Sequence, residues 1–348
     1  MRFLTKKRAA IEVQFNWIFV LIVGALILVF FINISNAQRK NAEQTLAFEL
    51  LSKVDLIMSG ALTIPKTGQI FDMPNIDFNT ECNRISTLGV SRQFPDRIVF
   101  APDTLKGKKL IVWSQDWNVP YKVTNFLYMT TSNVRYVVVA EDPANTDAIN
   151  FVNALPDNIT KEISALSSIT DKNNYKIKLI FLDSIYSNLD NDALSSISLP
   201  DWMQKMANSA VTGVYIRKRM NPADVRFIRK NGNHLEYVGD EVKVYKDPMI
   251  FGAVFAENKE EFNCSITKAF KKLHYVSEVY AKREDALISA YGQSTMEECK
   301  SPVTRANSEI NAIANAALDK EIETISGNEN IVYNNNQMAL KASCAPIY

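Results

Sequence analysis

Four cysteines, Cys82, Cys264, Cys299 and Cys344, are the residues of this chain best suited to covalent or metal chemistry. A zinc site would need paired thiols or histidines at short spacing. No Cys-x-x-Cys pair is present, and His234 and His274 are the only histidines. An even cysteine count in an oxidising compartment implies two disulfides, with three connectivities open. A continuous helix from Cys264 to Ser289 would span roughly 35–40 Å. Cys264 could not then reach Cys299, because bridged Cα atoms lie about 4.4–6.8 Å apart. That spacing favours Cys82–Cys264 with Cys299–Cys344; the alternative is four buried thiols.

The next segment with chemical promise is Trp113-Ser114-Gln115-Asp116-Trp117-Asn118-Val119-Pro120. Two indoles beside a carboxylate, read as a loop past a strand end, suit sugar stacking or a partner peptide, so Trp113, Asp116 and Trp117 form a candidate binding loop. The plainer reading is a packed loop whose indoles seal the core. An ectoenzyme using carboxylates such as Asp116 and Asp183 is a remote alternative, and no motif supports that role. The chain contains no Gly-x-Ser-x-Gly, no His-Glu-x-x-His, no Gly-x-Gly-x-x-Gly and no phosphate-binding loop, and Gly107-Lys108-Lys109 lacks the flanking residues of one. The turn Ala140-Glu141-Asp142-Pro143 is acidic and would repel phosphate. No catalytic residue, metal ligand or cofactor is therefore assigned. Asn158-Ile159-Thr160 and Asn263-Cys264-Ser265 match glycosylation acceptors. Lys plus Arg is 39 against 38 Asp plus Glu, a balance that argues against a nucleic-acid partner.

The elements that must position these groups begin with an apolar run. Val13 to Ile34 reads VQFNWIFVLIVGALILVFFINI, with no charge between Trp17 and Ile32. About twenty helical residues cross roughly 30 Å of hydrocarbon, so the reading is a transmembrane helix over 13–35 with the lipid bilayer as partner. Trp17, Phe19, Leu21, Leu26, Phe30 and Phe31 would be its anchor residues. Arg2, Lys6, Lys7 and Arg8 precede the span, and Arg39 and Lys40 follow it at greater distance. That bias keeps residues 1–12 as a cytoplasmic tail and sends the rest outside the cytoplasm. A cleaved secretory signal is the alternative, although the apolar run exceeds the usual length of one.

Leu46, Leu50, Leu51, Val54 and Ile57 recur at helical spacing and predict a stalk helix over 36–60 that continues the membrane helix. The remainder is long enough for a large core, with 47% hydrophobic residues overall. It reads as a mixed α/β ectodomain over 61–257 and a helical segment over 258–348. Ser59 to Asp96, dotted with Gly and Pro, reads as a loop. Strands are expected at Arg97–Phe100, Leu110–Trp113, Val134–Val139, Lys176–Leu182, Val211–Arg217, Val225–Arg229, Leu235–Val238, Val242–Tyr245 and Met249–Ala256. A helix over Pro143–Leu155 with Asn145 as N-cap makes a βαβ unit of Val134–Val139 and Lys176–Leu182. Asn231-Gly232 signals a hairpin. Helices are expected from Ile266 to Leu287, over Thr304–Ile325 and over Gln337–Ser343, with Asn334-Asn335-Asn336 as a loop. The fold class is α+β with a mixed sheet.

Residues 6–35, KKRAAIEVQFNWIFVLIVGALILVFFINIS, resemble the N-terminus of archaeal type IV pilin-like proteins, which carry a basic leader, a cleavage site, a glutamate and a hydrophobic helix. The family pattern Gly-Gln-Ala-Ala-Val-Glu aligns with Lys7-Arg8-Ala9-Ala10-Ile11-Glu12, with Lys7 where the family prefers glycine. The resemblance implies Glu12 as the pilin-type glutamate, whose carboxylate at the membrane edge needs a partner. A plain signal-anchor helix is the alternative. The segments QFNWIFVLI, WSQDWNVPYKVTNFLY and YKDPMIFGAVFAENKEEFNC also resemble uncharacterised single-pass proteins of small-genome archaea. That likeness covers most of the chain and implies an envelope protein, with itself or other envelope proteins as partners.

Overall fold

The computed structural model describes residues 6–63, 68–74, 76–217, 222–292 and 296–348, with side chains from Trp17 onward except that of Glu297. The Glu12 side chain therefore lies outside the described residues. In chain order the elements are α1 (Lys6–Thr63), then the strands β1 (Gln69–Asp72), β2 (Phe78–Glu81), β3 (Arg84–Thr87), β4 (Val90–Gln93), β5 (Ile98–Phe100), β6 (Thr104–Leu105), β7 (Lys109–Asn118), β8 (Lys122–Thr131) and β9 (Val134–Val139). The middle of the chain forms α2 (Thr146–Ala154), β10 (Thr160–Ser164), β11 (Lys176–Leu182), α3 (Asn191–Ser196), α4 (Asp201–Gln204), β12 (Val211–Arg217), β13 (Ala223–Asn231) and β14 (His234–Val244). Four helices close it: α5 (Lys246–Phe255), α6 (Lys259–Gly292), α7 (Glu297–Asp319) and α8 (Ile322–Lys341).

α1 is one unbroken helix of 58 residues with two different surfaces. Its turns from Trp17 to Ile34 are apolar and exposed, and it is long and apolar enough to cross a membrane. Farther on, Ala47, Leu50, Leu51, Val54, Met58 and Ala61 are buried. These positions recur every three to four residues and form one stripe. The stripe packs on Leu110, Val112, Leu127 and Met129 of β7 and β8. Each buried leucine or methionine contributes roughly 1.5–3 kcal/mol. The Arg92–Asp55 pair at 2.6 Å is half-exposed and adds at most about 1 kcal/mol, so apolar burial holds the helix down. The end of α1 is capped from the sheet: Ser114 Oγ donates to Ala61 O (2.6 Å) and Asn125 Nδ2 to Leu62 O (2.7 Å).

The sheet β1-β7-β8-β5 carries α1 on one face. Its other face, with Ile111, Trp113, Phe126 and Tyr128, joins the main core beneath α5 and α6. A small antiparallel sheet, β4-β3-β2-β6, occupies the segment read from sequence as a loop. Its strands are two to four residues long, too short to show a period; Gly60 of the same segment lies in α1, Gly68 and Pro74 flank β1, and Pro95 follows β4.

The largest sheet runs β10-β9-β11-β12-β13-β14. Its first four strands are parallel, and β13 and β14 close it antiparallel. Strands β9, β11 and β12 match their sequence-based ranges, because strands buried on both faces read as continuous apolar runs. Asn145 caps α2 as expected, accepting from Asp147 N (3.0 Å) and Ala148 N (3.1 Å). The βαβ unit is corrected: its second strand is β10, and β11 lies on the opposite side of β9. β10 carries little sequence signal because it is a polar edge strand, half-buried along its length. The hairpin shares this sheet, and its two turn residues are Gly232 and Asn233, with Asn231 paired to His234. Gly232 alone takes positive φ there (60°), as a turn with glycine in first place requires. Gly213 of β12 admits no side chain, since a Cβ would sit 2.5 Å from Leu179 O of β11.

Met249–Phe255, expected with Ala256 as a strand, belongs to α5, and Ala256 is the residue that ends the helix. Every residue from Met249 to Phe255 is buried, so no polar face marks the helical period. α6, α7 and α8 form an antiparallel helical layer. α7 starts before the expected Thr304, and the expected second helix breaks at Lys320, which adopts a left-handed conformation (φ 58°). Asn334–Asn336 lie inside α8 rather than in a loop, where Asn335 and Asn336 are buried. Asn336 Oδ1 accepts from Ile347 N (2.8 Å), fixing the C-terminal residues against the layer.

Glu284 of α6 is fully buried, with one carboxylate oxygen lacking a hydrogen-bond partner and Arg283 only 3.4 Å from the other. Burial raises its pKa to about 7, against the pull of Arg283. Folded protein therefore holds this proton more tightly than unfolded protein. The group's best contribution lies at low pH and is lost as pH rises from the ordinary carboxylate range through about 7. Glu284→Gln is expected to raise stability by about 1–3 kcal/mol at pH 8 and to change it little at pH 4. Denaturant midpoints at the two pH values check this.

Candidate functional site

The structure separates the residues that the sequence suggested might act together. β7 extends through Asn118, so Trp113–Asn118 is strand and not a loop. Side chains alternate along a strand, which puts Trp113 and Trp117 on one face and Asp116 on the other. Trp117 is fully buried, stacked on Phe126 with ring centroids 5.4 Å apart and edge-on to Phe270 at 5.7 Å. Trp113 is buried beside Tyr128 and Phe251. A stacking platform needs an open ring face, and these indoles have none; they are core residues. Asp116 pairs with Lys122 at 2.8 Å. Asp183 instead accepts from the Tyr215 hydroxyl, on the other sheet.

The cysteines are joined as spacing favoured. Cys82, in the β2–β3 turn, is bonded to Cys264 of α6 (S–S 2.05 Å), and Cys299 of α7 to Cys344 after α8 (S–S 1.98 Å). Asn263 of the second glycosylation match lies in α6 next to that bridge, and Asn158 donates to Gly68 O (2.7 Å). His274 is structural: its Nδ1 lies 2.9 Å from Ala314 O, linking α6 to α7.

A cleft of about 460 Å³ opens at the carboxyl ends of the parallel strands. The chain leaves β9 toward β10 on one side and leaves β11 toward β12 on the other, so the cleft sits where strand order reverses. Open α/β sheets place ligands at this position. Asn150 and Phe151 of α2, Asp183 and Ser184 after β11, and Asp247 and Phe251 of α5 line it. Burial first, then the Asp183 carboxylate, pushes the Tyr215 phenol up to about 12, so it stays protonated and donates. Among the described residues that line the cleft there is no His, Lys or Cys. Among the described residues, no group of three or more His, Cys, Asp or Glu could hold a metal ion. The crossover from β9 to β10 runs through α2, whose Asn150 and Phe151 form one wall of this cleft.

A second cavity, of about 590 Å³, lies at the opposite end of the same sheet, between β12–β13 and the α5–α6 corner. Glu257 forms part of its wall and is buried, with Lys176 Nζ 2.6 Å and Lys178 Nζ 3.8 Å from the same oxygen. Burial pushes the Lys178 ammonium down to about 8, against the attraction of Glu257. No known protein family, no curated protein and no solved structure matches this chain.

Proposed function

We propose that this chain is a membrane-anchored envelope protein whose folded body stands outside the cytoplasm and acts through structural or binding contacts. The observation that carries the reading is the division of α1. Its first turns leave Trp17, Phe19, Leu21, Leu26, Phe30 and Phe31 each at least 60% exposed, while its later turns are buried against the body. In water such a patch is untenable; in a bilayer it is solvated. The basic flank at Lys6, Lys7 and Arg8 supports a cytoplasmic N-terminus. Two disulfides support an oxidising compartment for the body. The likeness of residues 6–35 to archaeal pilin-like segments supports processing near Lys7, with Glu12 near the new terminus.

The test is the intact mass and N-terminal sequence of the protein from its native membrane, with protease protection of sealed vesicles. A terminus at Arg8, Ala9 or Ala10 favours the pilin-like form. A terminus at Met1 or Arg2 favours a permanent signal-anchor. Recovery of the mature chain without its apolar turns overturns the anchor. Arginine in place of leucine at mid-span costs about 3 kcal/mol of insertion free energy. Leu21→Arg with Leu26→Arg is therefore expected to shift the protein into the alkaline-soluble fraction, and Leu26→Arg alone to do so only partly.

A further inference from the structure

We propose that the cavity between β12–β13 and the α5–α6 corner binds a neutral polyhydroxylated ligand, a saccharide. The first observation is an unpartnered buried group. Thr212 Oγ1 has no hydrogen-bond partner, its residue is 7% exposed, and Thr212 lines the cavity. A buried hydroxyl without a partner costs about 1–3 kcal/mol, and a ligand hydroxyl in the cavity would remove that cost.

The second observation is the row that Thr212 belongs to. Register pairs Lys178 with Thr212 and Thr212 with Arg229, so all three share one sheet face. That face meets the start of α6, where Asn258 caps the helix by accepting from Glu261 N (2.9 Å). Arg229, Asp103, Glu257 and Glu260 line the space together, while Lys230 turns to the other sheet face and donates to Met206 O (2.9 Å) and Asn208 Oδ1 (3.2 Å). Either sign of net charge on a ligand would meet a like charge here, which disfavours a small anion and a small cation equally. Donors and acceptors interleaved at short range instead match hydroxyls, each of which donates once and accepts twice. Val238, half-buried, supplies an apolar contact for the C–H face of a sugar ring, with Phe227 packed beneath it in the core. The volume lies within the range of small-molecule sites.

This site does not depend on the placement of α1, so its test stands apart from that of the anchor. The full-length protein is placed in lipid nanodiscs, avoiding glycoside detergents, and titrated calorimetrically with maltotriose, cellotriose, mannotriose and chitotriose. At least one should bind more tightly than about 10 mM. Thr212→Val keeps the side-chain shape and removes the hydroxyl. It should weaken that binding about tenfold while leaving thermal stability equal or higher. Glu260→Gln, at the exposed rim, should weaken it without affecting folding. The proposal is overturned if none of the four binds, if Thr212→Val binds as well as the parent, or if acetate, phosphate or arginine displaces the saccharide at lower concentration.

Discussion

Cys82→Ala with Cys264→Ala is expected to destabilise the protein more than any single core truncation. The bridge closes a loop of 182 residues, and the chain-entropy treatment assigns such a loop about 5 kcal/mol. The loss should be local before it is global. Cys82 sits in the turn of a sheet of two- to four-residue strands, whose remaining ties to α6 are few: Lys268 Nζ donates to Cys82 O (2.7 Å) and to Arg97 O (2.6 Å). Hydrogen exchange in the double variant should therefore rise first across 76–105, with the β9–β12 core still protected. The Cys299–Cys344 bridge closes a 45-residue loop, so Cys299→Ala with Cys344→Ala should cost about 4 kcal/mol. Its exchange signature belongs in α7, α8 and the C-terminal residues. Equal protection of 76–105 with and without the first bridge would show that apolar packing alone holds the small sheet.

The second large effect is expected at Glu257. Lys176 and Lys178 are each 3% exposed, and Glu257 is the buried carboxylate between them. Asp103, half-exposed, accepts from Lys176 at 2.6 Å, and Lys178 otherwise donates only to Ala256 O and Glu257 O. Glu257→Gln leaves a buried ammonium without a counter-charge and should cost about 3–5 kcal/mol at pH 7. The pH dependence has a definite sign. Lys178 titrates near 8 in the folded protein, below its ordinary 10.5. Between those values the unfolded chain carries a proton that the folded one does not, so this group makes stability rise with pH. Without Glu257 the folded lysine loses its proton more readily still. The Glu257→Gln deficit should then be greatest below pH 8 and shrink toward pH 10, as urea midpoints would show. Replacing all three by Met, Met and Leu should restore most of the loss, since apolar groups of similar volume substitute well for buried ion pairs. A deficit independent of pH would mean that Glu257 acts through shape and not charge.

These elements also mark where sequence sufficed. β9, β11 and β12 were legible to the residue because apolar and β-branched runs bounded by polar turns permit little else. The two disulfides were legible in part: one long helix excluded Cys264–Cys299, one of the two competing connectivities, and the observed pairing is one of the two that remained. α5 was not, because a segment buried on all sides carries no period. The short strands between Phe78 and Gln93 were not, because four residues give too few alternations. For the sites the failure was of another kind. Trp113, Asp116 and Trp117 invited a binding role through their types. Their alternation along β7 sends the acid away from the indoles, which a period-two reading of Ile111 to Trp117 would have exposed. Thr212 and Asn258 meet only through tertiary packing, and no local pattern couples them.

α1 has a mechanical meaning as well. Its exposed apolar turns end at Ile34 and its first docked residue is Ala47. The twelve residues between them remain helical and span about 18 Å. On the proposed membrane placement, that interval is a fixed-length spacer without a hinge, holding the body clear of the headgroups. Any tilt or rotation of the span would pass directly to the body, so its two cavities would keep a set height and heading above the bilayer, as instruments on a mast do.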